Sequence, residues 1–342
     1  MKEPFITIIW VNYNSMNIID LVLSSLVNIR NLDYDNYDLI IVDNASTDGS
    51  FQMVKSFVER WVRPKVKIIR MDRNRGWIGG CNAGYARVKS SDYVVVMNND
   101  LIPFPDSLRG LVEHLMQDEN VGGAQGIILD YNTKRVQTAG YIDDELLRAY
   151  TLFPSENPSS IRKSYLISYS TGAYSIYRVR SLRLIGRTNY LYDPELFAYY
   201  DDHILGLRFW MNNFKVKLLP VKAGLHYEGA TFRESPVKSY IILRNRLATV
   251  FMSNIRWKYY TIMFALIRHN LYPLTRRHRL PWSMQKRALS QALRISRLMV
   301  RREGPLNIYK APIIRLSPTE LFMPSRIIRS KLENIIKSLE ET

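Results

Sequence analysis

Tyr93-Val94-Val95-Val96-Met97-Asn98-Asn99-Asp100 is the stretch that decides the fold. Its first five residues are apolar and mostly β-branched, the pattern of a strand buried on both faces of a parallel sheet. The strand stops on three polar residues. In an open α/β sheet the carboxyl ends of the strands line the ligand crevice. An acid there, beside two amides, suits a hard divalent cation and the hydroxyls of a sugar or ribose. The same acid could simply start the turn toward Pro103 and Pro105.

Working outward, three more strands precede it. Phe5–Val11 ends in Asn12-Tyr13-Asn14-Ser15, and Ser15 is placed to cap a helix running to about Val27. Tyr37–Val42 ends at Asp43-Asn44. The turn that follows leads into a helix with Phe51, Val54, Phe57, Val58 and Trp61 inward. Val66–Met71 is followed by a glycine-rich helix start, Asn74 to Gly84. Strands and helices alternating at this spacing predict a mostly parallel, doubly wound sheet. Right-handed crossovers bring three polar strand ends to one edge: Asn12/Asn14, Asp43/Asn44 and Asn98/Asn99/Asp100. A polar, phosphorylated ligand fits such an edge. The glycines do not have dinucleotide-fingerprint spacing, the first βα turn has no glycine, and no Gly-Lys-Ser/Thr occurs.

After a strand at Val121–Leu129, residues 130–164 read as irregular. Tyr165–Tyr177 is strand-like, broken at Thr171-Gly172-Ala173. Arg178–Ile185 reads as a short helix stopped by Gly186. Asp201 and Asp202 open a helix, where acids are favoured by the dipole and where a general base could also stand. Val216–Pro220 reads as a strand, with His226 after it.

Among 342 residues there is one cysteine, Cys81, so no internal disulfide forms and a reducing compartment is permitted. The run from Phe5 is too short for a signal hydrophobic region or a membrane span. Net charge is +17, and it is unevenly spread: residues 233–342 hold 22 Lys+Arg against 6 Asp+Glu. A basic C-terminal third predicts an anionic partner. No nucleic-acid motif appears. Two nine-residue apolar runs, Leu247–Ile255 and Tyr259–Ile267, flank Arg256-Trp257-Lys258. Each is too short to span a bilayer, and their flanking aromatics and cations suit its interface. Arg276-Arg277-His278-Arg279 and a helix over Met284–Arg302 add charge. An ordinary helical subdomain with a solvated basic face accounts for the same pattern.

These motifs together resemble the family-2 glycosyltransferases of GT-A fold, in particular the branch that includes rhamnosyltransferase-like enzymes of polysaccharide and glycan assembly. The resemblance covers about residues 5–250. It rests on Val11 to Asn14, Ile41 to Ser50, Asn74 to Gly84, Asn98-Asn99-Asp100, Thr171-Gly172-Ala173, Asp201-Asp202 and His226, all in family order. It implies a GT-A catalytic domain over 1–235, with a donor half to about 130 and an acceptor half from about 131, and a basic helical region over 236–342. Asp43 would bind the nucleobase of a nucleotide-sugar donor. Asn12, Tyr13, Asn14, Asn44, Gly76, Asn82, Asn98 and Asn99 would line the donor pocket. Asp100 and His226 would hold Mg²⁺ or Mn²⁺, Asp202 would be the catalytic base, and Gly172, Ala173, Asp201 and Arg244 would meet the acceptor. Asn98 stands where the family's metal motif has its first Asp, Asp201 where Glu is usual, and Ile204 where this branch often has another acid.

The resemblance implies inverting transfer to a glycan or phosphate-linked lipid acceptor, by an enzyme peripheral to the cytoplasmic face of the cell membrane. Two other readings are a nucleotidyltransferase on a similar core and a catalytically inactive sugar-nucleotide or lipid-binding scaffold. The first lacks its basic glycine-rich loop after strand one; the second is opposed by the intact Asp43, Asp100, Asp202 and His226.

Overall fold

The computed structural model describes residues 3–227, 235–268, 280–323 and 325–340. In chain order the elements are β1 (Ile6–Asn12), α1 (Ile19–Arg30), β2 (Tyr37–Asp43), α2 (Ser50–Val58), β3 (Lys65–Arg70), α3 (Gly76–Tyr85), β4 (Tyr93–Asn98), β5 (Leu101–Pro103), α4 (Ser107–Gln117), β6 (Val121–Asp130), β7 (Val136–Thr138), β8 (Tyr141–Asp144), β9 (Ala149–Thr151), β10 (Tyr165–Leu166), β11 (Tyr174–Arg178), α5 (Val179–Leu184), α6 (Asp201–Met211), β12 (Lys215–His226), α7 (Pro236–Met252), α8 (Lys258–Arg268), α9 (Trp282–Glu303), β13 (Ile313–Ile314) and α10 (Ser325–Leu339).

The main sheet runs β10-β12-β6-β11-β4-β1-β2-β3, with β5 on β12 and β7 on β6. β1, β2, β3 and β4 are parallel, as the alternating pattern predicts. Registration then does the functional work: Asn12 lies opposite Asp43, and Val11 opposite Asn98. The polar residues at three strand ends therefore meet at one edge. The second half is mixed, because β11 runs antiparallel between β4 and β6. It brings the Thr171–Ala173 turn to the same edge.

Four expectations need correction. Ser15 does not cap α1; a 3-10 turn over Met16–Ile18 intervenes, and the Ser15 hydroxyl donates instead to Asn12 Oδ1. Residues 130–164 are not irregular throughout but hold β7, β8 and β9, whose two- to four-residue ladders are too short to show a period. β12 does not end at Pro220: it continues through shifts in register to His226, which is thus a strand residue held opposite Leu101. The apolar run from Leu247 is not a surface feature, since Leu247, Ala248, Val250, Met252 and Ile255 are buried. The four-residue basic cluster at 276–279 lies outside the described residues.

The C-terminal third shares its core with the sheet. Leu243, Leu247, Ala288, Met299 and Ile308 pack in one continuous apolar cluster with Val96, Tyr177, Ile204 and Leu218. β13 adds a parallel strand to β8. A buried ion network ties α9 to the segment before α6. Arg187 pairs with Asp193 at 2.8 Å and with Glu303 at 2.9 Å, while Arg208 reaches the same Glu303 carboxylate at 3.2 Å. Buried guanidinium groups have no water to fall back on, so removing their shared carboxylate is costly. Glu303→Ala is expected to lower unfolding free energy by about 3 kcal/mol or more, read by urea denaturation. A loss below about 1 kcal/mol would place this network among ordinary surface pairs.

Candidate active site

The nucleotide side of the site is built on the paired ends of β1 and β2. Asn12 is fully buried and donates from Nδ2 to Asp43 Oδ1 at 3.0 Å and toward the hydroxyls of Ser46 and Ser50, both at 3.2 Å. Its Oδ1 accepts from Asn99 Nδ2 at 3.2 Å. Asn12 and Asn99 therefore orient Asp43 from beneath. Asp43 also accepts from the Ser46 backbone N–H at 3.0 Å and has Arg70 at 3.8 Å. Asn14, with φ of 42°, accepts from the Thr47 N–H at 2.8 Å and so fixes the loop after β2. Tyr13 precedes it on the same turn and is half-buried.

Asn44 and Asn82 act as clamps. Asn44 donates to the Gly76 carbonyl at 2.9 Å and accepts from the Arg75 N–H at 3.0 Å. Asn82 accepts from the N–H groups of Leu191 and Tyr192, both at 2.9 Å, and donates to the Tyr192 carbonyl at 2.8 Å. Both ends of the Asn82 carboxamide are taken by backbone, so it supports the 191–192 segment. Gly76 is required for space as well as conformation: its φ is 72°, and a Cβ there would lie 2.1 Å from the Phe197 carbonyl oxygen.

At the end of β4, Asp100 and His226 meet. Asp100 Oδ1 lies 3.2 Å from His226 Nε2, both residues are buried, and that oxygen has no hydrogen-bond partner. His226 Nδ1 faces Gln137 Oε1 at 2.8 Å. An amide oxygen there fixes the proton on Nδ1 and leaves the Nε2 lone pair toward Asp100, the arrangement a metal-ligating histidine takes. Asn98 Nδ2 is 3.3 Å from the same Nε2. Among the described residues no three His, Cys, Asp or Glu converge. The pair therefore fits a hard cation whose remaining ligands are donor phosphates and water.

The third component is the pair Asp201 and Asp202 at the start of α6. Asp202 Oδ2 accepts from the Gly172 N–H at 3.2 Å, and Oδ1 from the His203 N–H at 2.8 Å. Burial pushes the Asp202 carboxyl above the ordinary range, opposed by those two N–H groups and by the charge of His203. Burial, then the neighbouring Asp202, pushes Asp201 up much further, and the Trp77 indole N–H bonds it. Gly172 thus holds Asp202 through its backbone. Ala173 links this acid to the end of β4, because its carbonyl accepts from the Asn98 N–H at 3.0 Å. The buried Gln125 pins this turn through the Thr171 N–H at 2.7 Å.

The segment delivering these acids is strained. Phe197, Tyr199 and Tyr200 all have positive φ, of 70°, 66° and 69°. Such conformations persist only where the surroundings over-determine them. The buried Asn245 of α7 lies 3.0, 2.7 and 2.9 Å from the carbonyls of Leu196, Ala198 and Tyr199. Arg244 bonds the Leu196 carbonyl and the Asn245 Oδ1, so its guanidinium is already engaged with this segment instead of standing free for an acceptor. Gln125 and Gln137 were not singled out from sequence; Trp77 stands inside the Asn74–Gly84 motif and Asn245 beside Arg244, with no role given to either. Gln137 lies in the stretch read as irregular, and Gln125 carries no spacing signal of its own.

The family model for glycosyl transferase family 2 matches residues 7–186, and the chain belongs to that family. A curated relative is the succinoglycan biosynthesis protein ExoO of Rhizobium meliloti, 29% identical over 112 residues, which are 33% of this chain and 30% of that protein. An uncharacterised glycosyltransferase of Haemophilus influenzae is 26% identical over 35% of this chain and 46% of its own length. The matches thus span less than half of these relatives. Among solved structures, GalNAc-T7 with UDP, GalNAc and Mn²⁺ superposes with a TM-score of 0.63 at 13% identity, over 89% of this chain and 59% of that one. The Pyrobaculum calidifontis mannosyltransferase PcManGT, with GDP-Man and Mn²⁺, gives 0.52 at 16% identity over 98% and 81%. S. aureus TarS 1–349 with UDP-GlcNAc gives 0.52 at 15% identity over 90% and 89%. At these identities the likeness carries the GT-A fold.

Gly76→Ala tests the joint between the donor loop and the base-bearing segment. It is expected to cost about 2 kcal/mol or more in urea denaturation, because a methyl group there meets backbone rather than a movable side chain. Wild-type stability would mean that the Phe197 carbonyl yields easily.

Proposed function

We propose that this chain moves a sugar from a nucleotide-sugar donor to a hydroxyl of a glycan or a phosphate-linked lipid acceptor, by single displacement with inversion. The observation that carries the reading is the joining of two unlike stations by one turn. The half-buried acid Asp202 accepts from Gly172, and the next residue, Ala173, bonds the end of β4 beside Asp100 and His226. Asp202 accepts the acceptor hydroxyl proton, the acceptor oxygen forms its bond to the anomeric carbon, and the bond to the diphosphate oxygen breaks with its electron pair. Asp100 and His226 would hold a Mg²⁺ or Mn²⁺ ion, which would supply charge stabilisation to the departing diphosphate. The assignment of one base, Asp202, with its neighbour Asp201 bonded by Trp77, supports inversion. Asp43, held rigid by Asn12, fits the nucleobase.

The basic helical region also supports a surface role. No helix among the described residues is long and apolar enough to cross a membrane. The outer face of α9 instead presents Lys286, Arg294, Arg297 and Arg301 with exposed Trp282, Leu293 and Leu298. On α8, Tyr259, Met263 and Ile267 recur every fourth residue and are exposed, with Tyr259 at 86%. Cations beside exposed aromatic and aliphatic groups suit an anionic bilayer surface, and we assign the chain to the cytoplasmic face on that basis.

Three outcomes are expected. Asp202→Asn abolishes release of nucleoside diphosphate from every active donor in a nucleotide-sugar panel. Because the carboxyl is held above its ordinary range, its burial destabilises the fold at neutral pH and ceases to do so as pH falls, so the Asn variant has a thermal midpoint no lower than wild type at pH 7. Retained turnover would remove Asp202 as base. By calorimetry, Mn²⁺ tightens binding of the active donor to wild type and has no effect with Asp100→Ala; equal binding with and without Mn²⁺ in both proteins would refute the metal pair. Cosedimentation with anionic vesicles weakens at high salt but persists, with Trp282 emission shifted to the blue, whereas full release by salt and unchanged emission would leave charge alone.

A further inference from the structure

His203 has no part in the reading above, and its surroundings are unusual for a residue one step beyond a proposed base. It is 3% exposed. Its Nε2 lies 2.6 Å from Asp143 Oδ2, on β8, and Asp143 is itself 1% exposed. The imidazole stacks on Tyr169 with ring centres 4.8 Å apart and on Tyr200 with centres 5.3 Å apart. Two near-parallel rings cannot occupy one face, so both faces of the imidazole are covered. Tyr169 stacks in turn on Tyr141 at 5.2 Å. The ring can neither rotate nor meet water, and its edge is committed to Asp143.

This arrangement is poorly explained as core packing. A His–Asp pair is an expensive filler for a dry aromatic stack, where a leucine or phenylalanine would bury without desolvating a charge. Burial raises the Asp143 carboxyl, with His203 the largest opposing influence. The other charged groups nearby are Asp144 on the same strand and Arg246 from α7, which acts on Asp143, together with Asp201 and Asp202 on α6. Asp144 is already neutralised by Arg148. His203 meets the Asp143 carboxylate with its ring and the Asp202 carboxylate with its backbone N–H.

We infer that His203, anchored by Asp143, is a positioning residue that favours the base form of Asp202. It acts in two ways. Its backbone N–H bonds Asp202 Oδ1 at 2.8 Å, and the locked ring keeps that first turn of α6 in place. Burial raises the Asp202 carboxyl, and the His203 N–H and ring both oppose that rise. Nothing is transferred to or from His203 in the reaction; the proton from the acceptor goes to Asp202. The inference rests on Asp202 being the base, so its test needs one arm that is independent of activity.

That arm is NMR of the full-length wild-type chain. The His203 Nε2–H proton, shielded from water and beside the Asp143 carboxylate, is expected as a slowly exchanging far-downfield resonance that disappears in Asp143→Asn. Its absence from wild type would overturn the anchor whatever the enzyme does. The second arm is the pH profile of nucleoside diphosphate release from the active donor, with water as acceptor. His203→Gln keeps the backbone N–H but loses the ring, so the acid limb should move up by about half a pH unit or more while donor KM stays within about two-fold. A merely structural histidine would scale the profile without moving it, and that result would overturn the proposal. Asp143→Asn should lower kcat in wild type but add little to His203→Gln, since the two act as a unit. Additive losses would show that they do not. If wild type releases no diphosphate from any donor, the transferase reading fails while the NMR arm still reports on the pair.

Discussion

Two adjacent carboxylates withdrawn from water, Asp201 almost wholly and Asp202 in part, are the constraint around which the second half of this molecule is built. Each loses hydration on folding, and each repels the other. The chain answers with donors drawn from separate parts of the sequence: the Trp77 indole for Asp201, and the Gly172 and His203 N–H groups for Asp202. Those donors can converge only if the preceding segment turns sharply, and the three left-handed residues at 197, 199 and 200 make that turn. Their strain is in turn held by Asn245 and Arg244, which fixes where α7 must lie. The position of a helix 40 residues downstream thus follows from the cost of ionising two acids out of water.

Much of the first half was legible in the sequence because its signals are local. β-branched runs bounded by polar residues marked β1, β2 and β4 closely, and parallel registration then required their polar ends to meet. The metal pair was legible only through resemblance, since Asp100 and His226 are far apart in the chain and neither has a spacing that points to the other. His226 was misjudged in its setting, because β12 shifts register three times and so hides its period after Pro220. The supporting residues Gln125, Gln137, Asp143 and Asn245 were not legible at all. A lone buried amide or acid has no pattern until tertiary contact supplies its partner.

Asn12 and Asn82 mark a related limit. Both stand in family motifs, and both were read as lining the donor pocket. In the fold each is consumed by protein: Asn12 by Asp43 and two serines, Asn82 by the backbone of residues 191 and 192. A motif position reports that a carboxamide is needed there, and does not distinguish a group that meets the ligand from one that orients its neighbour.

The buried ion network at Arg187 reaches across what the sequence suggested was a domain boundary. Its acids come from the segment before α6 and from the end of α9, and its guanidinium groups from positions 187 and 208. The C-terminal third is therefore not an interchangeable module. A chimaera that borrowed residues 236–342 from a relative would have to bring a matched set at 187, 193 and 208 with it. Lineages that diversify the outer surface of this region are thereby obliged to change the exterior of α8 and α9 while leaving the inward face of the same helices untouched.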